Sequence, residues 1–325
     1  MRKIKWGVIG TAYIADWCTI PGMKLAENCE LYAIAGRTAE KAEAFKEKWG
    51  FEVAYGSYEE LLQDPQVEAV YIALPNTLHK EWSIKAAEAK KHILCEKPLA
   101  PTAAECAEMI EAANANGVIL MEAFAYLHSP IVKAVKDEID SGILGDILYM
   151  ETAFLTSDYN MSNIRMRRDT FGGCTYDLGC YNTTQILWMM SEEPESVQAI
   201  ANFSDEHIDV FTSALMTFKG GRRAQMNCGF TLATDADKRV DRFQIHGTKG
   251  FLKSEIRFNM DGEGSYMICA DGKCETKTVN MPQNYKLEVE QLGRCITDGE
   301  KPHVSHEFTM MNARTLDRIL AAIGY

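Results

Sequence analysis

A doubly wound α/β domain with a parallel sheet, followed by an α+β domain on one large, mostly antiparallel open sheet, is the architecture this 325-residue sequence predicts. Three observations carry the prediction. Up to about residue 123, short strand-like runs alternate with helical patterns, the rhythm of parallel strands joined by crossover helices. Beyond Phe124 strand signals dominate and are separated by tight turns, which join antiparallel neighbours. At the start, a strand runs into Gly10 and then a helical stretch, the context of a phosphate-binding turn. The implied division is 1–123 and 124–325.

In the first domain the candidate strands are Lys3 to Ile9, Glu30 to Ala35, Glu52 to Tyr55, Ala69 to Leu74, Ile93 to Cys95 and Val118 to Met121. Between them, Ser57-Tyr-Glu-Glu60 and Thr102-Ala-Ala-Glu105 fit the capping box, in which side chains satisfy unpaired amides of a first helical turn. In the second domain Ser129-Pro130 opens a helix to about Ser141, a long irregular segment follows, and the next helix pattern spans Tyr181 to Met190. Strands are then expected over Glu195 to Phe203, Asp209 to Phe218, Arg223 to Leu232, Arg239 to His246, Phe251 to Glu255, Tyr266 to Ala270 and Glu275 to Val279. Asn284 to Thr297 and His306 to Ile323 are amphipathic and read as closing helices.

Composition narrows the function. With 46 acidic and 34 basic residues the net charge is −12, which argues against attraction to nucleic acid or anionic lipid. No run of 18 apolar residues suggests a membrane span, and the opening Met1 to Trp6 leads straight into a strand instead of a signal-peptide core. Ten cysteines without a C-x-x-C pair read as reduced thiols of a cytoplasmic protein. The three N-x-S/T triplets at Asn160, Asn182 and Asn202 are then chance matches. No cluster has metal-ligand spacing, so no metal is expected.

The stretch Gly10-Thr11-Ala12-Tyr-Ile14-Ala15 stands where a Rossmann dinucleotide fingerprint would, with alanine at its second and third glycine places. A residue without Cβ at the turn lets the backbone approach a pyrophosphate, whose charge then lies at a helix N-terminus. At the end of the second strand an NAD site usually offers a carboxylate to the ribose 2′-hydroxyl. Here the residues are Gly36-Arg37-Thr38, a cation with a small hydroxyl donor, which favours NADP over NAD. An ordinary solvated arginine is the competing reading of Arg37.

Two longer motifs point to a family. Tyr71-Ile-Ala-Leu74-Pro75-Asn76-Thr-Leu-His79 with His92-Ile-Leu-Cys-Glu96-Lys97-Pro98, and further on Gly172-Gly-Cys-Thr-Tyr-Asp177-Leu-Gly179-Cys-Tyr181, resemble the motifs of the Gfo/Idh/MocA oxidoreductases, in their order and separation. The combination of the Gly10 turn with Tyr181 is most similar to the branch holding dimeric dihydrodiol dehydrogenase and the NADP-type D-xylose 1-dehydrogenase. Inositol dehydrogenases carry histidine at the place of Tyr181. The resemblance implies an NAD(P)-binding first domain, a second domain for substrate binding and oligomerisation, a cis peptide before Pro98, and a homo-oligomer, dimer or tetramer.

Hydride transfer at a C–OH carbon needs a group that takes or returns the hydroxyl proton. Lys97, at the carboxyl end of a parallel strand, can hold a substrate oxygen, and a positively charged nicotinamide nearby would lower its proton affinity. Asp177 and Tyr181 are four apart and share a face if helical; Tyr181 is expected as proton donor and acceptor partnered with Lys97, and Asp177 as orienter. Lys97 and Tyr181 remain alternatives for the main acid/base. Leu74, Pro75, Asn76, His79 and Glu96 are expected along the cofactor, and Glu122, Arg165 and Arg168 as substrate contacts. The leading reading is an NADP(H)-dependent dehydrogenase or reductase of a sugar, polyol or vicinal diol. The alternatives are a nicotinamide-dependent glycosidase of the same superfamily and a non-enzymatic cofactor sensor.

Overall fold

The computed structural model describes residues 2–157, 162–232, 239–254 and 258–325. The expected end of one strand at Glu255 and the triplet at Asn160 lie outside them. By its own contacts the chain divides into two compact units, Met1–His128 with Pro282–Thr309, and Ser129–Met281 with Met310–Tyr325.

The first unit is built on six parallel strands, β1 (Ile4–Ile9), β2 (Cys29–Ala35), β3 (Val53–Tyr55), β4 (Ala69–Ile72), β5 (His92–Glu96) and β6 (Leu120–Ala123), in the order β3-β2-β1-β4-β5-β6. These strands read as continuous apolar runs because helices cover both sheet faces, and Val8, Ile34, Tyr71, Ile72, Ile93 and Leu94 are fully buried. The covering helices include α1 (Ile20–Leu25), α2 (Ala39–Trp49), α3 (Tyr58–Gln63), α4 (Asn76–Glu88) and α5 (Ala103–Asn116). Ser57 and Thr102 cap α3 and α5 as the motifs predict, their hydroxyls accepting from Glu60 N at 3.2 Å and Glu105 N at 3.3 Å.

A single cut after residue 123 misses one feature, the return of α8 (Asn284–Asp298) to this unit. Two glycines permit the approach. A Cβ on Gly22 would lie 2.6 Å from Tyr285 Cβ, and one on Gly293 would lie 2.2 Å from Asn28 Nδ2.

The second unit carries eight strands: β7 (Ile147–Thr156), β8 (Ser196–Phe203), β9 (Asp209–Thr217), β10 (Arg223–Gly229), β11 (Arg239–Gly247), β12 (Gly250–Ser254), β13 (Gly262–Ala270) and β14 (Lys273–Met281). Their order is β14-β13-β12-β11-β7-β10-β9-β8, antiparallel except for the β7–β10 pair. The segment expected to be irregular after Ser141 thus contains the strand that joins the two halves of the sheet. Helices α6 (Pro130–Asp140) and α7 (Cys180–Met190) belong to this unit, and α9 (His306–Ile323) closes the chain. One sheet face is dry, with Met150, Met216, Ala224, Met226, Ile245 and Leu252 fully buried. On the other, Ile200 is 76% and Leu215 39% exposed.

The cysteines need one correction. Cys269 and Cys274 are directly opposed across the β13–β14 hairpin and are disulfide-bonded, while the other eight are free thiols. The Asp271-Gly272 turn brings together a pair that a search for C-x-x-C spacing passes over. Asn182 is fully buried in α7, which removes that triplet as a glycan acceptor. Among the described residues no helix is long and apolar enough to cross a membrane.

Candidate active site

In the first unit, one group of the expected site residues lies where the strand order reverses, at the carboxyl ends of β1 and β4, the place where open parallel sheets bind ligands. Gly10 leaves β1 with φ +105, and its N–H donates to Ala35 O at 2.9 Å. A Cβ there would lie 2.5 Å from Ala73 O. The turn therefore fits a group that must approach bare backbone, as a dinucleotide pyrophosphate does. The helix that follows passes through a π-helical stretch, Ala15–Thr19, before α1. Ala15 is buried, whereas Thr11, Ala12 and Ile14 keep partial exposure. Arg37 is exposed at the end of β2 and makes no ion pair among the described residues. The hydroxyl of Thr38 instead accepts from Lys41 N at 3.4 Å and caps α2.

Lys97 follows β5, half-buried, and its peptide to Pro98 is cis. Its neighbour Glu96 is buried, and its carboxylate accepts from Tyr71 Oη at 2.5 Å, which in turn accepts from Thr19 Oγ1 at 2.9 Å. Leu74, Pro75 and Asn76 form the partly exposed link from β4 to α4. His79 is buried with Nδ1 3.0 Å from Pro98 O and Nε2 2.8 Å from Leu74 O. Burial lowers its proton affinity, against the pull of the carbonyls. This ring ties the Leu74 and Pro98 loops, where the cofactor contacts are expected, together through backbone.

Glu122 lies at the end of the same sheet, on β6. It is 3% exposed, with Oε1 accepting from Leu99 N at 2.8 Å, so it supports the chain after Lys97. Burial raises its carboxyl to about 7, opposed by the Leu99 N–H and the charge of Lys97. A carboxyl raised in the folded state binds its proton more tightly there, so its contribution is complete below about 4.5 and is lost as pH rises to 7. Glu122→Gln should abolish that slope, worth about 3 kcal/mol across the window. Urea denaturation of both proteins from pH 4.5 to 8 checks it; parallel curves would assign the slope to another group.

Another group of the expected site residues lies on the second unit. Gly172 and Gly173 are forced by contact: a Cβ on Gly172 would meet Arg165 O at 2.3 Å, and one on Gly173, whose φ is +112, would meet Asp209 Oδ1 at 1.9 Å. Asp209 is a residue the sequence reading did not single out. Its buried carboxylate accepts from Thr175 N at 2.8 Å, Thr212 Oγ1 at 3.0 Å and Cys174 Sγ at 3.1 Å, and so fixes the start of the motif's helix. Burial raises its proton affinity and these donors lower it.

That helix is also π-helical at first, over Thr175–Gly179, before α7. Such turns recur at functional sites because they re-aim side chains within a helix. Asp177 receives Arg165 Nε at 2.6 Å, which makes Arg165 the partner of the expected orienter. Tyr181 is buried, with its hydroxyl accepting from Asn259 Nδ2 at 3.2 Å. The Arg168 guanidinium lies over the Tyr325 ring, 3.7 Å from the centroid, and Nη1 donates to His207 O at 3.1 Å. Tyr325 Oη donates to Gly172 O at 2.6 Å, so through this ring Arg168 braces the Gly172-Gly173 corner.

Within the first unit, a dinucleotide turn at a strand-order reversal with a lysine on a nearby strand end is the arrangement a nicotinamide-dependent dehydrogenase uses. Comparison with known proteins agrees. The profile of the GFO/IDH/MocA oxidoreductase family, NAD-binding Rossmann fold, matches residues 4–124, and that of the GFO/IDH/MocA C-terminal domain matches residues 132–253. The chain is 31% identical to D-xylose 1-dehydrogenase (NADP(+)) 2 of Haloferax volcanii, over 97% of this chain and 95% of that protein. It is 28% identical to trans-1,2-dihydrobenzene-1,2-diol dehydrogenase of Xenopus laevis, over 98% of each. A 3-ketoreductase from Actinomadura kijaniata, solved with NADP and TDP-benzene, superposes with TM-score 0.92 at 28% identity, covering 99% of this chain and 98% of that one. The chain belongs to the GFO/IDH/MocA oxidoreductase family, and it is an NAD(P)-dependent oxidoreductase acting on CH–OH groups.

Proposed function

We propose that the protein is an NADP(H)-preferring dehydrogenase or reductase of a sugar, polyol or vicinal diol, with Lys97 and Tyr181 handling the hydroxyl proton and Asp177 orienting. The observation that carries the reading is Lys97 at the carboxyl end of β5, whose partner strand β4 flanks the Gly10 turn. The nicotinamide, when bound, accepts or returns the hydride. Gly10, Thr11, Ala12, Ile14 and Ala15 would hold its pyrophosphate, with Leu74, Pro75, Asn76 and Glu96 bordering it. An ammonium at Lys97 donates to a carbonyl oxygen during reduction, and the neutral amine takes the hydroxyl proton during oxidation. Arg165 keeps Asp177 charged and aimed.

The relatives' names, two of them with NADP and two with a sugar or diol, support the cofactor and substrate class. Residues 1–123 would then serve the cofactor and 124–325 the substrate and assembly. A cytoplasmic homo-oligomer, dimer or tetramer, completes the reading, supported by eight free thiols and by the exposed Ile200 and Leu215 on one sheet face. Light scattering that finds only monomer would dismiss the assembly.

The test is a fluorescence titration with NADPH and NADH in parallel, followed by NADP⁺-dependent oxidation of aldoses, polyols and vicinal diols read at 340 nm. Saturable binding that favours NADPH is expected, and binding of neither removes the reading. Arg37→Ala should weaken NADPH by about tenfold, the scale of one charge-assisted contact, and NADH hardly at all. Equal losses for both cofactors would place Arg37 outside the 2′-phosphate site.

A further inference from the structure

We infer that Asn259 is a positioning residue for the proton-handling hydroxyl of Tyr181, an inference that rests on the role proposed for that tyrosine. Its Nδ2 donates to Tyr181 Oη at 3.2 Å, and among the described residues its own Oδ1 is buried without a hydrogen-bond partner. An N–H donated to a phenolic oxygen stabilises the phenolate more than the phenol. It also turns the tyrosine's own O–H away from Asn259. Both effects suit a hydroxyl that gives and recovers a proton.

The second support is how the carrying loop is held. Phe258 is 5% exposed; its N–H donates to Asp241 Oδ2 at 3.2 Å and its carbonyl accepts from Arg239 Nη2 at 3.0 Å. Arg239 Nε closes the circuit on the same Asp241 oxygen at 2.7 Å. The Arg239 guanidinium lies over Phe154, 4.3 Å from the ring centroid, and Phe154 stacks on Phe258 at 5.1 Å and meets Tyr181 edge-on at 5.6 Å. One ion pair, its Asp241 side chain enclosed and its Arg239 half-buried, thus fixes both the aromatic wall against the Tyr181 ring and the backbone that delivers the amide. Asn259 itself has φ +58, a left-handed conformation that asparagine tolerates better than most residues.

The backbone dictates the choice of variants. Asn259→Gly removes the amide and suits φ +58, while Asn259→Asp keeps the shape and replaces the donor by an anionic acceptor. In the full chain with tyrosine isotope-labelled at Cζ, the Tyr181 resonance is the one lost in Tyr181→Phe. It should titrate at higher pH in Asn259→Gly than in the parent, and higher still in Asn259→Asp. NADP⁺-dependent oxidation of D-xylose should fall about tenfold in Asn259→Gly, the size of one hydrogen bond, with the NADP⁺ KM unchanged and no further loss in the Tyr181→Phe background. A Tyr181 resonance titrating identically in parent and both variants overturns the inference. Turnover unaffected by Tyr181→Phe overturns the role proposed for Tyr181 instead, and the resonance still decides the hydrogen bond.

Discussion

Replacing Lys97 by Met should lower turnover by at least ~10²-fold, the lower range for losing an acid/base group, while NADPH binding stays near the parent's. Methionine keeps an unbranched apolar stem and deletes only the ammonium. The frame around it does not depend on that charge: Glu96 is held by Tyr71, and the chain after Pro98 is held by Glu122 and His79. One electrostatic consequence does follow. The charge of Lys97 pulls the Glu122 carboxyl down, so removing it leaves burial less opposed and raises that carboxyl further. Steady-state kinetics and fluorescence titration on one preparation separate the two effects. Undiminished turnover would take Lys97 out of the mechanism, and joint loss of binding and turnover would make it a cofactor ligand.

Local motifs were legible wherever one backbone turn dictates the residue. Gly10 is such a case, since its φ and the nearby Ala73 carbonyl leave no room for a side chain. The parallel strands of the first unit were legible because burial on both faces writes an unbroken apolar run. β7 escaped for a related reason: Met150, Thr152, Ala153 and Phe154 are all buried, so the strand shows neither clean alternation nor a uniformly apolar run. The two π-helical stretches left no sequence signal. Four-residue spacing suggested that Asp177 and Tyr181 share a helical face; it could not show that Asp177 receives Arg165 or that the Tyr181 hydroxyl accepts from Asn259. Asp209 and Asn259 themselves lie 34 and 78 residues from the groups they hold, Thr175 and Tyr181. Only the sheet brings such residues together, and one sequence carries no pairing information over that range.

The same distance explains why Gly173→Ala should destabilise the protein by about 3 kcal/mol or more. Its methyl would occupy a point 1.9 Å from Asp209 Oδ1 and 3.3 Å from the Tyr325 ring, at a φ of +112. Backbone strain contributes about 1–3 kcal/mol. Displacing the carboxylate costs about as much again for each buried donor it abandons, and Thr175 N, Thr212 Oγ1 and Cys174 Sγ are at stake. Gly220→Ala is the matching control, with φ +72 and no atom within 4 Å of the added Cβ, and should cost only about 1–2 kcal/mol. Urea denaturation of both variants isolates the contact from the strain. If the losses are equal, Asp209 yields without consequence and is no anchor for the motif. If the excess appears, NADPH titration of the folded fraction tells where it acts: binding retained with turnover lost would show that the carboxylate serves the helix bearing Asp177 and Tyr181, independently of the dinucleotide turn.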